Sequence, residues 1–130
     1  VLSELNKNNP IRIVDDQLSN PTLVDNLSKI IQSCLEKNLV GIFHTTDTSC
    51  ISRFEFAKTI AIKFGYSESL ISSISSKELN QFATRPSKTC LDCSKIQKND
   101  INLTTLNESL EILFSKIQKN EPTLIHKKNF

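Results

Sequence analysis

Apolar residues along this chain recur mostly at helical spacing. Leu23, Leu27, Ile30, Ile31, Cys34 and Leu35 fall on one helical face, predicting a helix from Thr22 to about Lys37-Asn38. Thr22 and Asp25 read as a capping pair at its start, where acid suits the helix dipole. Ser52 and Glu55 form a capping box ahead of the stripe Phe56, Ala57, Ile60, Ala61 and Phe64, and Gly65 stands where the helix should stop. Leu106, Leu110, Leu113, Phe114 and Ile117 predict a last helix from Asn102 to Asn120. Residues 2–8 read as the end of a helix broken at Pro10. Two β-branched runs predict strands: Ile11 to Val14, and Val40-Gly41-Ile42-Phe43-His44-Thr45. Between them Asp15 to Pro21 is a polar turn, and Thr46 to Cys50 is a loop. Residues 67–76 read as a helical turn followed by an extended stretch, with another single turn over Ser76 to Asn80. Arg85-Pro86 imposes an extended backbone that continues through Lys88 to Leu91, and Asp92 caps a short helix over Lys95 and Ile96. After Pro122 the chain is expected to be loose. The class is α/β, mainly α with a few short strands. One domain is expected over residues 1–120, followed by a tail at 121–130.

Composition narrows the function classes. At 130 residues the chain supports one modest core. Sixteen basic and 14 acidic residues are near balance, so no nucleic acid and no membrane surface is expected as a partner. No apolar run reaches the ~20 residues that span a bilayer. The start, Val1-Leu2-Ser3-Glu4-Leu5, lacks the basic and apolar regions of a signal peptide and an initiator Met. The chain is therefore expected to begin inside a longer product, with the cytoplasm as its default location. Cys90-x-x-Cys93 has no second pair to complete a zinc site, and Cys34 and Cys50 stand apart. Reduced thiols packed as small apolar residues are the expected state of all four, ahead of a redox Cys90-x-x-Cys93, which no thioredoxin-like βαβ pattern surrounds.

Catalytic layouts find little support. His44 and His126 are the only histidines, and no acid or nucleophile stands at a matching spacing. His44 is expected to bond loop backbone. Asp15-Asp16 lacks a third ligand for a metal.

Three stretches in a fixed order carry a resemblance. They are Asp16-Gln17-Leu18-Ser19-Asn20-Pro21-Thr22; then Gly41-Ile42-Phe43-His44 leading to Ser52-Arg53-Phe54-Glu55-Phe56-Ala57; then Ala83-Thr84-Arg85-Pro86 leading to Leu91-Asp92 and Lys95. From about Leu2 to Ile117 the chain resembles the C-terminal, substrate-binding half of the dTDP-4-dehydrorhamnose reductase family among the extended short-chain dehydrogenases. The family pattern reads Asp-Gln-x-Gly-x-Pro-Thr, Gly-x-Tyr/Phe-His, Ser-x-x-Glu-Phe-Ala and Arg-Pro-x-Asn-Ser-x-Leu-Asp-x-x-Lys.

The resemblance implies a division of labour. A full protein of this kind reduces dTDP-4-dehydro-6-deoxy-L-mannose to dTDP-L-rhamnose with NADPH. The Rossmann half needs a Gly-rich turn and a Tyr-x-x-x-Lys pair. Here there are two glycines, Gly41 and Gly65, and the one tyrosine, Tyr66, is followed four residues on by Leu70. This chain alone is thus expected to bind no cofactor and reduce nothing. The resemblance gives Arg85 to the ligand diphosphate, which a guanidinium fork suits; the other reading is a surface or interdomain salt bridge. Lys88 replaces the family asparagine and keeps phosphate attraction. Gln17 orients its turn or faces the ligand, and Thr22 caps its helix. Ser19 replaces a family glycine, a cost of about 1 kcal/mol if the position needs positive φ. The 41–45 strand would join the sheet of the Rossmann half. Cut from that sheet, it would re-pair, associate with itself as a homo-oligomer, or dock on another chain. Two other readings remain: a regulatory relative resembling the methionine adenosyltransferase β subunit, and a stand-alone interaction module.

Overall fold

The computed structural model describes residues 1–79 and 82–119. The expected tail at 121–130, His126, and the ends of the turn and helix expected to reach Asn80 and Asn120 lie outside the described residues. Helix α1 (Leu2–Leu5) leads into β1 (Ile11–Val14), and β2 (Leu18–Ser19) precedes α2 (Val24–Glu36). Next come β3 (Ile51–Ser52), α3 (Arg53–Lys63) and β4 (Ile71–Ile74), then α4 (Ser94–Gln97) and α5 (Leu106–Gln118). The fold is α/β and mainly helical, with short strands in two pairs. β1 pairs in parallel with β4, Ile11 opposite Ile71 and Val14 opposite Ile74. β2 pairs antiparallel with β3, Leu18 opposite Ser52.

Three small cores hold these elements. Leu5, Ala57, Ala61 and Ile71 join α1, α3 and β4, with Ile11 and Ile13 packed against them. Ile30, Cys93, Ile96 and Ile101 join α2 to α4. Ile60, Leu106 and Leu110 join α3 to α5. Full burial of a side chain such as Leu5 or Ile96 contributes roughly 1.5–3 kcal/mol. No helix among the described residues is long and apolar enough to cross a membrane.

Local chemistry decides where the helices begin and stop. Ser52 accepts from Glu55 N while Glu55 accepts from Ser52 N, the expected capping box. Gly65 takes φ 76° just after α3. A second capping box, Thr105 with Glu108, starts α5 later than Asn102. Asp92 accepts from Ser94 N at 2.8 Å, one residue ahead of the α4 cap.

Several expectations are corrected. Thr22 does not cap α2: its hydroxyl donates to Asn20 O at 3.1 Å and accepts from Asp47 N at 3.1 Å, and Leu23 takes the cap position without a side-chain bond. Asp25 pairs with Lys116 of α5 instead. The polar turn at 15–21 contains β2, and Ser19 there has no positive φ, so serine carries no conformational cost. On α2 only part of the apolar face is covered, since Ile31 and Leu35 are exposed.

Val40 to Thr45 forms no strand: Gly41 bends the backbone with φ 115°, and no ladder reaches the segment among the described residues. Lys95 Nζ donates to Ile42 O at 2.7 Å and lies 4.4 Å from the Phe43 ring centroid, which holds the segment without a ladder. His44 is exposed and has no hydrogen-bond partner among the described residues, so it does not tie down loop backbone. The cysteines are not all reduced: Cys50 and Cys90 form a disulfide with Cα atoms 5.7 Å apart, while Cys34 and Cys93 are free. The two partners are 40 residues apart in sequence and are brought together by the fold.

Four carboxylates, Glu4, Asp16, Asp92 and Glu108, are held below their ordinary pKa, and two of them close turns or caps of the fold. Asp16 accepts from Ser76 N at 2.9 Å and from both the Ser75 and Ser76 hydroxyls, closing the 3-10 turn Ser76–Glu78 after β4. The Ser76 backbone bond holds its carboxyl below the ordinary value of 3.8. The Thr105 backbone bond does the same for Glu108, below 4.5. Both native pKa values are depressed, so their stabilisation is complete above these ordinary values. It is lost as pH falls through the lowered native ones. Thermal melts from neutral to acid pH should show Tm dropping in that window. Asp16→Asn should be less stable at neutral pH and lose less on acidification. An unchanged acid limb in Asp16→Asn would remove Asp16 from this account.

Candidate functional site

The candidate site is built around β2. The short pairing with β3 places Leu18 and Ser19 beside Ile51 and Ser52. On its other side Leu18 makes a parallel bridge to Lys88. Leu18 N donates to Ser87 O at 2.8 Å, and Thr89 N donates back to Leu18 O at 3.0 Å. The Arg85-Pro86 segment is therefore laid along β2 by backbone bonds, as an extended pre-proline residue allows. Arg53, first residue of α3, is fixed by its own amide donating to Gln17 O at 3.2 Å.

These anchors bring Gln17, Arg53 and Arg85 to one concavity of about 110 Å³, with Ser19, Pro86 and Thr89 completing much of its wall. A larger cavity of about 450 Å³ shares Gln17, Ser19 and Arg53 and adds Arg12, Val14 and Phe56. The smaller concavity has two guanidinium groups and no carboxylate. Neither Arg53 nor Arg85 has an ion-pair partner among the described residues, whereas Arg12 pairs with Glu78 at 2.9 Å. Gln17 is only 6% exposed, and its Nε2 has no partner among the described residues. A buried donor left unmatched costs about 1–3 kcal/mol. A ligand oxygen would recover that cost.

Of the residues expected from sequence, Gln17 and Arg85 thus meet. Lys88 does not line the concavity; it is exposed and contributes its backbone to the bridge with Leu18. Arg53 was missed. It stands between the two members of a capping box, and nothing in its spacing distinguishes it from an outward-facing helix residue. A cavity of about 470 Å³ between α3 and the start of α5 is larger but poorer in chemistry. Its lysine, Lys58, is neutralised by Glu68 at 2.7 Å, and Glu55 is committed to its cap. No cluster of His, Cys, Asp and Glu fit to hold a metal occurs among the described residues.

A polar network supports the site from behind. Asp47 is 1% exposed, accepts from Ser49 N at 3.0 Å and from Ser109 Oγ at 2.9 Å, and so ties the loop before β3 to α5. Asn20 Nδ2 donates to Asp47 O and Ser49 O, while its Oδ1 accepts from Leu91 N at 2.9 Å. One amide thus spans from the β3 side of the site to the Arg85 side.

Comparison with known proteins gives a consistent result. The sequence model of the RmlD substrate binding domain matches residues 1–119. A dTDP-4-dehydrorhamnose reductase of Aggregatibacter actinomycetemcomitans is 31% identical over 97 residues, covering 66% of this chain and 33% of that protein. A probable low-salt glycan biosynthesis reductase, Agl14, of Haloferax volcanii is 27% identical over 97 residues, covering 75% and 32%. The chain spans about a third of the length of these curated relatives. The crystal structure of dTDP-4-dehydrorhamnose reductase from Bacillus anthracis, in complex with NADP, superposes with a TM-score of 0.82 at 26% identity, covering 88% of this chain and 41% of that one. The reductase structure from Clostridium acetobutylicum shares the fold, with a TM-score of 0.82 at 20% identity over 90% and 42% of the two chains.

Proposed function

Because this chain belongs to the RmlD substrate binding domain family, we propose that it is the nucleotide-sugar-holding part of a dTDP-4-dehydrorhamnose reductase-like protein. The observation that carries this reading is the pair of guanidiniums without ion-pair partners among the described residues, beside the buried Gln17 Nε2 that has none there either. A diphosphate supplies what that arrangement lacks: two negative charges for Arg53 and Arg85, and acceptor oxygens for Gln17. Lys88, outside the lining, adds attraction at longer range. The adjoining 450 Å³ cavity, walled by Val14 and Phe56, offers space for an uncharged end of the same ligand.

In this proposal the whole protein reduces dTDP-4-dehydro-6-deoxy-L-mannose to dTDP-L-rhamnose with NADPH in the cytoplasm, and the dinucleotide is held outside these residues. The chain's own geometry does not fit a dinucleotide. β1 is followed by Asp15-Asp16, where a dinucleotide turn needs glycine, and Asp16 is occupied in accepting from Ser76 N. A side chain at Gly41 would meet only Lys95 Nζ at 3.8 Å, and one at Gly65 would meet nothing, so neither glycine makes room for a pyrophosphate. No hydride step is therefore assigned to this chain. Its part is to bind and orient.

The partner in the proposal is the dinucleotide-binding half of the same protein. Val40 is 91% and Ile42 80% exposed on a segment without a ladder among the described residues, and the exposed Ile31 and Leu35 of α2 are of the same apolar character. A sheet edge would satisfy the backbone and cover the side chains at once.

Titration of the 130-residue chain with dTDP, thymidine and NADPH tests the ligand reading. Saturable dTDP binding that weakens with salt, with thymidine far weaker, is the expected result. Equal affinity for thymidine and dTDP, or no dTDP binding, would remove the diphosphate from the site.

A further inference from the structure

We infer that the Cys50–Cys90 disulfide is a thiol–disulfide exchange site that sets how firmly the Arg85 wall of the ligand concavity is held. The inference rests on the diphosphate reading only for its effect on affinity. Cys50 lies three residues before Arg53, and Cys90 five residues after Arg85. The bridge therefore joins the two segments that carry the two guanidiniums, across the intervening β2. It is a covalent cross-link between them in addition to the backbone.

The Arg85 segment has little else to fix it. Residues 82–89 are all exposed and lie outside helices and strands, and Cys90 is the first partly buried side chain after them. Among the described residues their hold consists of the bonds from Ser87 and Thr89 to Leu18, the bond from Leu91 to Asn20, and the disulfide. A segment without buried apolar anchors sits at the low end of local stability. A covalent link there removes conformations that would otherwise be open to it.

The bond is placed to be opened and remade. Cys50 is exposed while Cys90 is half-buried, so an incoming thiolate reaches the Cys50 sulfur and Cys90 departs as thiolate. With a dithiol reductant, the second thiol of the reductant then attacks the mixed disulfide. Cys50 and Cys90 become thiols, taking up two electrons and two protons in all, and the reductant leaves as its own disulfide. An oxidised thiol pool reverses the step. In the reducing cytoplasm expected from the sequence, disulfides are of this transient kind rather than permanent. Cys93, buried with its sulfur 3.3 Å from Thr46 Oγ1, and Cys34 on α2 take no part.

The test uses the whole chain, air-oxidised or treated with dithiothreitol that is then removed. Thiol titration after denaturation should find two free thiols before reduction and four after. Amide hydrogen exchange at Thr89 and Leu91 should accelerate on reduction, and Cys50→Ser should exchange fast in both conditions. Cys34→Ser/Cys93→Ser should respond to dithiothreitol as the parent does. The Kd for dTDP should rise by roughly five-fold or more on reduction and in Cys50→Ser. Four thiols in the oxidised chain, or equal exchange at Thr89 and Leu91 in both states, would overturn the inference. Loss of dTDP binding in every form would end the diphosphate reading alone, since thiol counts and exchange rates still decide the switch.

Discussion

Replacing Arg85 with alanine is expected to weaken dTDP binding by about 1–3 kcal/mol, the range lost when a charge-assisted hydrogen bond is removed. At 1.4 kcal/mol per decade this is a fall of roughly five- to 150-fold, readily read by calorimetric titration. Arg53→Ala should lose a similar amount, because both guanidiniums line the same concavity. The double variant should fall short of the sum, as expected for two groups that share one ligand. Arg85→Lys should recover only part of the loss: the charge returns, but the planar two-pronged donor does not. Tm should barely move in Arg85→Ala, since the residue is exposed and has no ion pair among the described residues. That separates a ligand contact from a structural one. Unchanged dTDP affinity in Arg85→Ala would take the residue out of the site.

Asp47→Ala should produce the largest loss of stability, roughly 2–5 kcal/mol. The carboxylate is buried, and its removal strands Ser49 N and Ser109 Oγ, each at a cost of about 1–3 kcal/mol. The damage should spread. Ser109 also accepts from Asn26 Nδ2 at 3.0 Å, and Asn26 donates to Thr104 at 2.8 Å, so α2, the loop before β3 and α5 share one network. Asp47→Asn keeps one acceptor oxygen and should cost less than alanine. Denaturant unfolding of the three proteins checks the order. Equal midpoints for the parent and Asp47→Ala would show that the network carries no net stability.

What the sequence made legible follows from how local each signal is. Helices α2, α3 and α5 were readable because their apolar spacing and capping residues lie within a few positions of one another. β1 was readable for the same reason. Val40 to Thr45 has the composition of a strand, but a strand needs a partner backbone, and none among the described residues reaches it. Thr22 looked like a cap until the buried loop at Asp47 claimed its hydroxyl. Cys50 looked solitary because its partner is 40 residues away. Arg53 and Asp47 were missed for a shared reason: each matters through what surrounds it in space, and a lone arginine or aspartate in sequence carries no sign of that. Gln17 and Arg85 were expected from a resemblance, and the fold brings them to one concavity.

The parallel pairing of β1 with β4 has a consequence for how the chain acquires its shape. Ile11 meets Ile71 only after about sixty intervening residues, which include α2 and α3, have been made and compacted. During synthesis β1 must wait on the ribosome without its ladder, and its Ile11 and Ile13 side chains stay wet until α3 arrives to cover them. The ladder therefore closes only once β4 has been made. A translational pause placed after β4, rather than before it, is the one that would help this polypeptide mature.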